Sequence, residues 1–174
     1  MPLPGCLSVL SLPCIYRDLK SANVFLSETN CIKIGDLGVA KLLAATRAMA
    51  KTQIGTPYYV SPELWKNKPY NAKSDIWALG CLFYEMVVGK PPFDSNDMRG
   101  LARKVMRGVY SPISSKYSDN LKEVIGQLLN VNPNARPSVS QILKMPQVVS
   151  RMNLLPRDGE PTASNDAAAG TWTM

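Results

Sequence analysis

Histidine is absent from this chain of 174 residues, and that absence removes a large part of enzyme chemistry. Without an imidazole there is no base for a serine or cysteine triad, and no mixed Cys/His zinc site can form. The four cysteines, Cys6, Cys14, Cys31 and Cys81, contain no CxxC spacing and read as reduced thiols of a cytosolic protein. No apolar run reaches the ~18 residues needed to span a bilayer, so no membrane insertion is expected. Met1 to Ile15 is mildly apolar but lacks a basic leading region and is broken by Pro2, Pro4 and Pro13, which argues against a signal peptide. The net charge is +7, yet lysine and arginine are dispersed without a block, so nucleic acid is not expected as a partner. There is no internal repeat and no GxxxxGK[ST] phosphate loop. Any chemistry must therefore run on carboxylates, lysines and a bound metal.

Enough apolar residue is present, 45%, for one domain with a core. Val24 to Leu26 and Cys31 to Ile34 are short β-rich runs around Ser27-Glu28-Thr29-Asn30 and predict a hairpin. After about residue 63 the pattern turns helical. From Asp75 to Val88, Ile76, Leu79, Leu82, Phe83, Met86 and Val87 recur at helical spacing, and Trp77 and Val88 widen the stripe almost all round, which predicts a buried helix stopped by Gly89. A third helix is expected from about Ser95 to Arg107. A fourth should begin at Ser118 as N-cap and run until Asn132-Pro133. A fifth should start at the Ser138/Gln141 capping box and run until Pro146. Residues 156–174, rich in Pro, Ala, Gly, Asp and Ser, cannot repay the entropy of ordering and read as a disordered tail.

The chemistry concentrates in Tyr16-Arg17-Asp18-Leu19-Lys20-Ser21-Ala22-Asn23 and, after the hairpin, Asp36-Leu37-Gly38. A hairpin at this spacing folds Asn23 and Asp36 toward a shared metal and leaves Asp18 free. Alone, an Arg-Asp pair or an Asp-x-Gly turn is more often a salt bridge or a turn. Three further blocks follow in order: Gly55-Thr56-Pro57-Tyr58-Tyr59-Val60-Ser61-Pro62-Glu63, then Lys73-Ser74-Asp75-Ile76-Trp77-Ala78-Leu79-Gly80-Cys81, then Asn132-Pro133-Asn134-Ala135-Arg136-Pro137-Ser138.

Together these blocks resemble the eukaryotic Ser/Thr protein kinases, whose catalytic loop reads H-R-D-L-x-x-x-N and whose metal loop reads D-F-G. Gly35 and the wording of the later blocks look most like the NIMA-related (NEK) enzymes. The resemblance implies a mainly α fold, the C-terminal lobe of the α+β kinase fold with a small β-hairpin at the active-site face. It covers residues 14–155, preceded by an atypical segment, 1–13. It further implies transfer of the ATP γ-phosphate to protein Ser/Thr hydroxyls. Asp18 would orient or accept the hydroxyl proton, and Lys20 would neutralise the phosphoryl charge. Asn23 and Asp36 would hold Mg²⁺, Phe25 would floor the adenine pocket, and Thr56 would couple substrate docking to catalysis. Glu63 would pair with Arg136, and Asp75 would brace the catalytic loop.

Between Asp36 and Glu63 lies a loop long enough to carry function, with Thr52 at the family's usual activating phosphorylation position and Arg17 and Lys41 placed to receive the phosphate. Tyr16 stands for the motif histidine and Leu37 for the phenylalanine of D-F-G. No Gly-rich loop or V-A-I-K lysine precedes the catalytic loop in these residues, so the expectation is an N-terminally truncated kinase whose stand-alone activity is low, with part of the long buried helix left uncovered. The alternative is a non-catalytic kinase-lobe module acting through the Thr56 region and the third helix. By resemblance the partners are protein substrates and kinase or cytoskeletal proteins, and the location is the cytoplasm, with centrosome, basal body, cilium and nucleus as family sites.

Overall fold

The computed structural model describes residues 19–27, 32–35 and 57–152 of the chain. A 3-10 turn, Ser21–Asn23, leads directly into strand β1, Val24–Leu26, which pairs antiparallel with β2, Ile32–Ile34. The register sets Val24 opposite Ile34 and Phe25 opposite Lys33. Because side chains alternate across a strand, Val24 and Ile34 point inward together, where they pack on Leu19, Ala78 and Leu82. The hairpin thus sits on the long helix through one small apolar cluster.

That helix, α2, spans Ala72–Val88. It starts three residues before the position expected from the apolar stripe, because Asn71 caps it: the Asn71 side chain accepts from the Lys73 amide at 2.8 Å, and Ser74 reaches back to the Asn71 amide. The capping box satisfies amides that would otherwise be orphaned at the helix start. At the other end Gly89 takes φ 79°, a left-handed C-cap that closes on Glu85 with a 2.7 Å bond. Trp77 is fully buried, as the stripe predicts, and so is Cys81, which the stripe did not include, but Met86 is 65% exposed. The helix is enclosed over its first half and opens toward its C-terminal end, so burial all round holds for only part of it.

Shorter helices surround α2. They are α1 (Pro62–Trp65), α3 (Met98–Arg107), α4 (Asp119–Leu128), α5 (Val139–Ile142) and α6 (Pro146–Met152). The third helix starts at Met98 rather than near Ser95, because the Asp97 carboxylate caps the Gly100 amide at 2.6 Å. The fourth starts at the Ser118 cap and ends at Leu128, short of Asn132-Pro133, where a 3-10 turn, Pro133–Ala135, intervenes. Pro146 does not stop the fifth helix, which has already ended at Ile142. It opens α6, since a proline costs nothing at a first helical position whose amide has no partner.

The main core gathers Trp77, Cys81 and Tyr84 of α2 with Phe93, Leu101, Val105, Ile125 and Leu129. Trp77 stacks on Phe93 at 5.3 Å, and Tyr110 meets both Phe93 and Tyr84 edge-on. Each such ring buried is worth ~2–3 kcal/mol of transfer free energy, which makes α2 the anchor for everything else. A second cluster, Ile76, Val124, Leu128 and Ile142, ties α4 and α5 to the same helix. No helix among the described residues is long and apolar enough to cross a membrane. Residues 1–18 and 153–174, with the expected N-terminal segment and tail, lie outside the described residues.

Candidate active site

Lys20 begins the site. It caps the Ser21–Asn23 turn in an extended conformation, and the Asn23 amide closes back on the Lys20 carbonyl at 3.0 Å. The turn is therefore tight enough to bring Asn23 inward, and its side chain is only 6% exposed. From there the chain leaves as β1 and returns as β2. The Gly35 amide then donates to the Asn23 carbonyl at 2.9 Å. This bond sets the residue that precedes Asp36 against Asn23, although Asp36 itself lies outside the described residues.

Phe25 is 54% exposed, on the outer side of the hairpin and away from the core. Its ring lies across Gly35, where a Cβ would come within 2.5 Å of Phe25 Cε2. A larger residue at position 35 would have to push the half-exposed Phe25 ring aside. Of the other expected site residues, Arg17, Asp18, Lys41, Thr52 and Thr56 also lie outside the described residues.

A network that sequence reasoning missed holds the turn in place. The Tyr59 hydroxyl donates to the Glu85 carboxylate, accepts from the Ser21 amide at 3.3 Å, and lies 3.1 Å from the Ser21 hydroxyl. Ser21 Oγ in turn lies 3.4 Å from Glu85 Oε1. Burial pushes the Tyr59 phenol up, and its hydrogen bond to Glu85 adds to the shift, so the phenol keeps its proton and stays a donor. Three segments meet here: the turn between Lys20 and Asn23, the stretch following Thr56, and α2. One signal was available. Glu85 is the lone carboxylate within the apolar run Leu82 to Val88, and an acid there needs a partner.

Below the site, Glu63 and Arg136 form a buried two-pronged ion pair, with NH1 to Oε1 and NH2 to Oε2 both at 2.8 Å. Arg136 also donates to the carbonyls of Asn130 (2.7 Å), Lys73 (2.7 Å) and Val131 (3.4 Å), so every guanidinium N–H is used. Its plane lies 5.0 Å from the Trp77 ring centroid, a favourable cation–π position. Ser74 Oγ adds a third donor to Glu63 at 2.8 Å, and Lys73 Nζ donates to the Arg136 carbonyl. Burial pushes the Glu63 carboxyl up, but the bonds from Arg136 and Ser74 and the guanidinium charge outweigh it and hold the group down at about 2. The pair bolts the start of α1 to the start of α2 and to the turn before α5. Asp75, buried one residue after Ser74, accepts from the Tyr70 hydroxyl.

Among the described residues one buried hydroxyl has no partner. Ser61 Oγ, at the start of α1, makes neither a cap bond nor any other.

A protein kinase domain model matches residues 9–148. Among curated proteins the chain is similar to serine/threonine-protein kinase Nek4 of Mus musculus, 49% identical over 140 residues, which is 80% of this chain and 18% of that protein. It is 45% identical over 138 residues to serine/threonine-protein kinase Nek1 of Mus musculus, covering 79% of this chain and 12% of the relative. To human serine/threonine-protein kinase Nek2 it is 44% identical over 163 residues, covering 88% and 37%. The chain thus spans only a minor part of the length of these relatives.

Proposed function

This chain belongs to the protein kinase domain family, with Nek-family Ser/Thr kinases as relatives, and from that premise we propose that residues 14–155 are the larger, helical lobe of a Ser/Thr protein kinase. Its reaction is transfer of the γ-phosphoryl group of ATP to Ser or Thr hydroxyls of protein substrates. The observation that carries this reading is the 2.9 Å bond from the Gly35 amide to the Asn23 carbonyl. It closes the hairpin and sets Gly35, the residue before the second motif, against Asn23, the last residue of the first.

The residues present fit a Mg²⁺–nucleotide, since the buried Asn23 amide and the carboxylate of Asp36 make a hard oxygen-donor set of the kind Mg²⁺ takes. Bound Mg²⁺–ATP supplies the phosphoryl group and offsets its negative charge. In this reading Asp18 orients the substrate hydroxyl and accepts its proton, and Lys20 stabilises charge on the transferred group. Thr56 joins the substrate segment to this pair. Tyr59, Ser21 and Glu85 act through the turn, as positioning residues: they hold Lys20 and Asn23 at a fixed distance from α2.

Phosphorylation of Thr52, received by Arg17 and Lys41, orders the loop before Glu63 by charge-assisted hydrogen bonds. Protein substrates, kinase or cytoskeletal partners and a cytoplasmic setting complete the reading.

The test is complementation. The upstream kinase segment of human Nek2 is joined to residue 14 of this chain, and phosphate transfer from Mg²⁺–ATP to a protein substrate is measured. Transfer is expected from the chimera, at least about a hundredfold less from its Asp18→Asn variant, and little from the 174-residue chain alone. An inactive, folded chimera, or an Asp18→Asn variant as active as its parent, would refute the proposal and favour a binding module.

A further inference from the structure

Helix α3 faces two ways. Leu101 and Val105 are buried in the main core, while Met98, Arg99, Arg103, Lys104, Met106 and Arg107 are exposed. Arg99, Arg103 and Arg107 recur at i, i+4 and i+8, which places three guanidiniums in one row over ~12 Å of helix. No ion pair involves any of them among the described residues, and α3 contains no acidic residue. Asp97, at the head of the row, is engaged in capping Gly100 at 2.6 Å. Like charges four residues apart destabilise a helix, and of the three only Arg107, in the last turn, is offset by the helix dipole.

The row borders two concavities. Asp97, Met98, Arg99 and Arg103 line a shallow depression of about 680 Å³. Lys90, Lys104 and Arg107 contribute to a groove of about 770 Å³ beyond it, where Lys104 Nζ is held by the Asp94 carbonyl at 2.5 Å. Met98, Met106 and Val109 are 52%, 37% and 69% exposed along the same helix and its exit. Arginine's planar fork suits carboxylates, and exposed methionines suit an apolar side chain of a partner. A phosphate backbone gains little from methionine, and the apolar stripe of α3, Leu101 and Val105, is already buried in the core and cannot enter a membrane interface, so the mixture favours a polypeptide.

We propose that the outer face of α3 is a docking surface for an acidic protein segment, whose carboxylates meet the Arg99–Arg103–Arg107 row while its apolar side chains cover Met98 and Met106. The interaction is independent of phosphoryl transfer. It can therefore fail or hold whatever the fate of the catalytic reading.

The probe is a fluorescein-labelled helical peptide of Glu, Leu and Ala with Glu at i, i+4 and i+8, titrated with the full chain and followed by anisotropy. Binding is expected to weaken steeply with salt, and to fall at least about tenfold when Gln replaces Glu in the peptide or when the chain carries R99E/R103E/R107E. A peptide with Lys in place of Glu should bind that variant and not the wild-type chain. Met98→Gln with Met106→Gln should weaken binding by about threefold or more. If the charge-reversed chain loses its circular dichroism signal, R99Q/R103Q/R107Q replaces it with the same expectation. Equal affinity for the Glu and Gln peptides, or unchanged binding by the folded arginine variant, overturns the proposal. So does tighter binding of a single-stranded oligonucleotide or of phosphatidylserine vesicles than of the Glu peptide.

Discussion

Replacing Glu63 with Gln changes one charge and almost no volume, at a position 4% exposed against an arginine that is 1% exposed. The Arg136 guanidinium then keeps its three backbone carbonyls but loses its counter-charge in a site with little solvent. Two routes give the magnitude. The Glu63 carboxyl is lowered from 4.5 to about 2, and at ~1.4 kcal/mol per unit this is worth about 3 kcal/mol. Removing one partner of a buried pair typically costs ~3–5 kcal/mol, which agrees. The folded-state value lies below the unfolded one, so the contribution is complete above pH 4.5 and is lost as pH falls toward 2. Urea unfolding of the wild-type chain and Glu63→Gln, followed by tryptophan fluorescence at pH 7, 5, 4 and 3, reads this directly. At pH 7 the variant should be about 3 kcal/mol less stable, and the gap should narrow steadily below pH 4.5. Adding Arg136→Met to Glu63→Gln should cost less than Arg136→Met alone, because no buried charge is then left unpaired. A loss under about 0.5 kcal/mol at pH 7, within the range of an ordinary surface change, or a gap that persists undiminished in acid, would refute the reasoning.

Ser61→Ala should leave the chain unchanged or raise its stability by up to about 1 kcal/mol, since the buried hydroxyl makes no cap bond and has no partner; a lower melting temperature contradicts this. Gly80→Ala should destabilise by about 1–2 kcal/mol despite alanine's better helix propensity, because its Cβ would lie 2.9 Å from Leu128 Cβ and 3.0 Å from Leu129 Cδ2, where α2 and α4 touch. A rise in melting temperature would show that α4 can move away. Burial pushes the Cys81 thiol up and keeps it protonated, so iodoacetamide at pH 8 should label Cys81 at least about a hundredfold more slowly in the folded chain than in urea. Mass spectrometry of the labelled peptides checks it.

What was legible in the sequence is what short-range chemistry decides. The caps at Ser118 and Ser138, the left-handed Gly89 and the two strands of the hairpin each depend on residues within a few positions of one another, and all four appear where the local pattern places them. The differences from the local pattern are local too: Asn71 caps α2 ahead of its apolar stripe, and Pro146, expected as the end of the fifth helix, is a first helical residue. Family membership was equally legible, because the ordered motif blocks are a linear record.

The tertiary structure alone decided how distant side chains share their charge and hydrogen bonds. Ser21, Tyr59 and Glu85 come from three segments, the first two 38 positions apart and the last two 26, and no periodicity announces that they meet. Glu63 and Arg136 stand 73 residues apart. Resemblance named them as partners, but the five satisfied guanidinium donors and the depressed carboxyl follow only from the carbonyls and the Trp77 ring that folding gathers around them. Likewise, the sequence shows helical spacing in α3 and in α2 alike. Which face is covered was settled by the neighbours, and they leave Met86 and the arginine row of α3 open to solvent. The absence of histidine from the sequence leaves carboxylates and lysines as the groups for acid–base chemistry. Packing determines which of those groups are bolted into the frame and which remain free to meet another molecule.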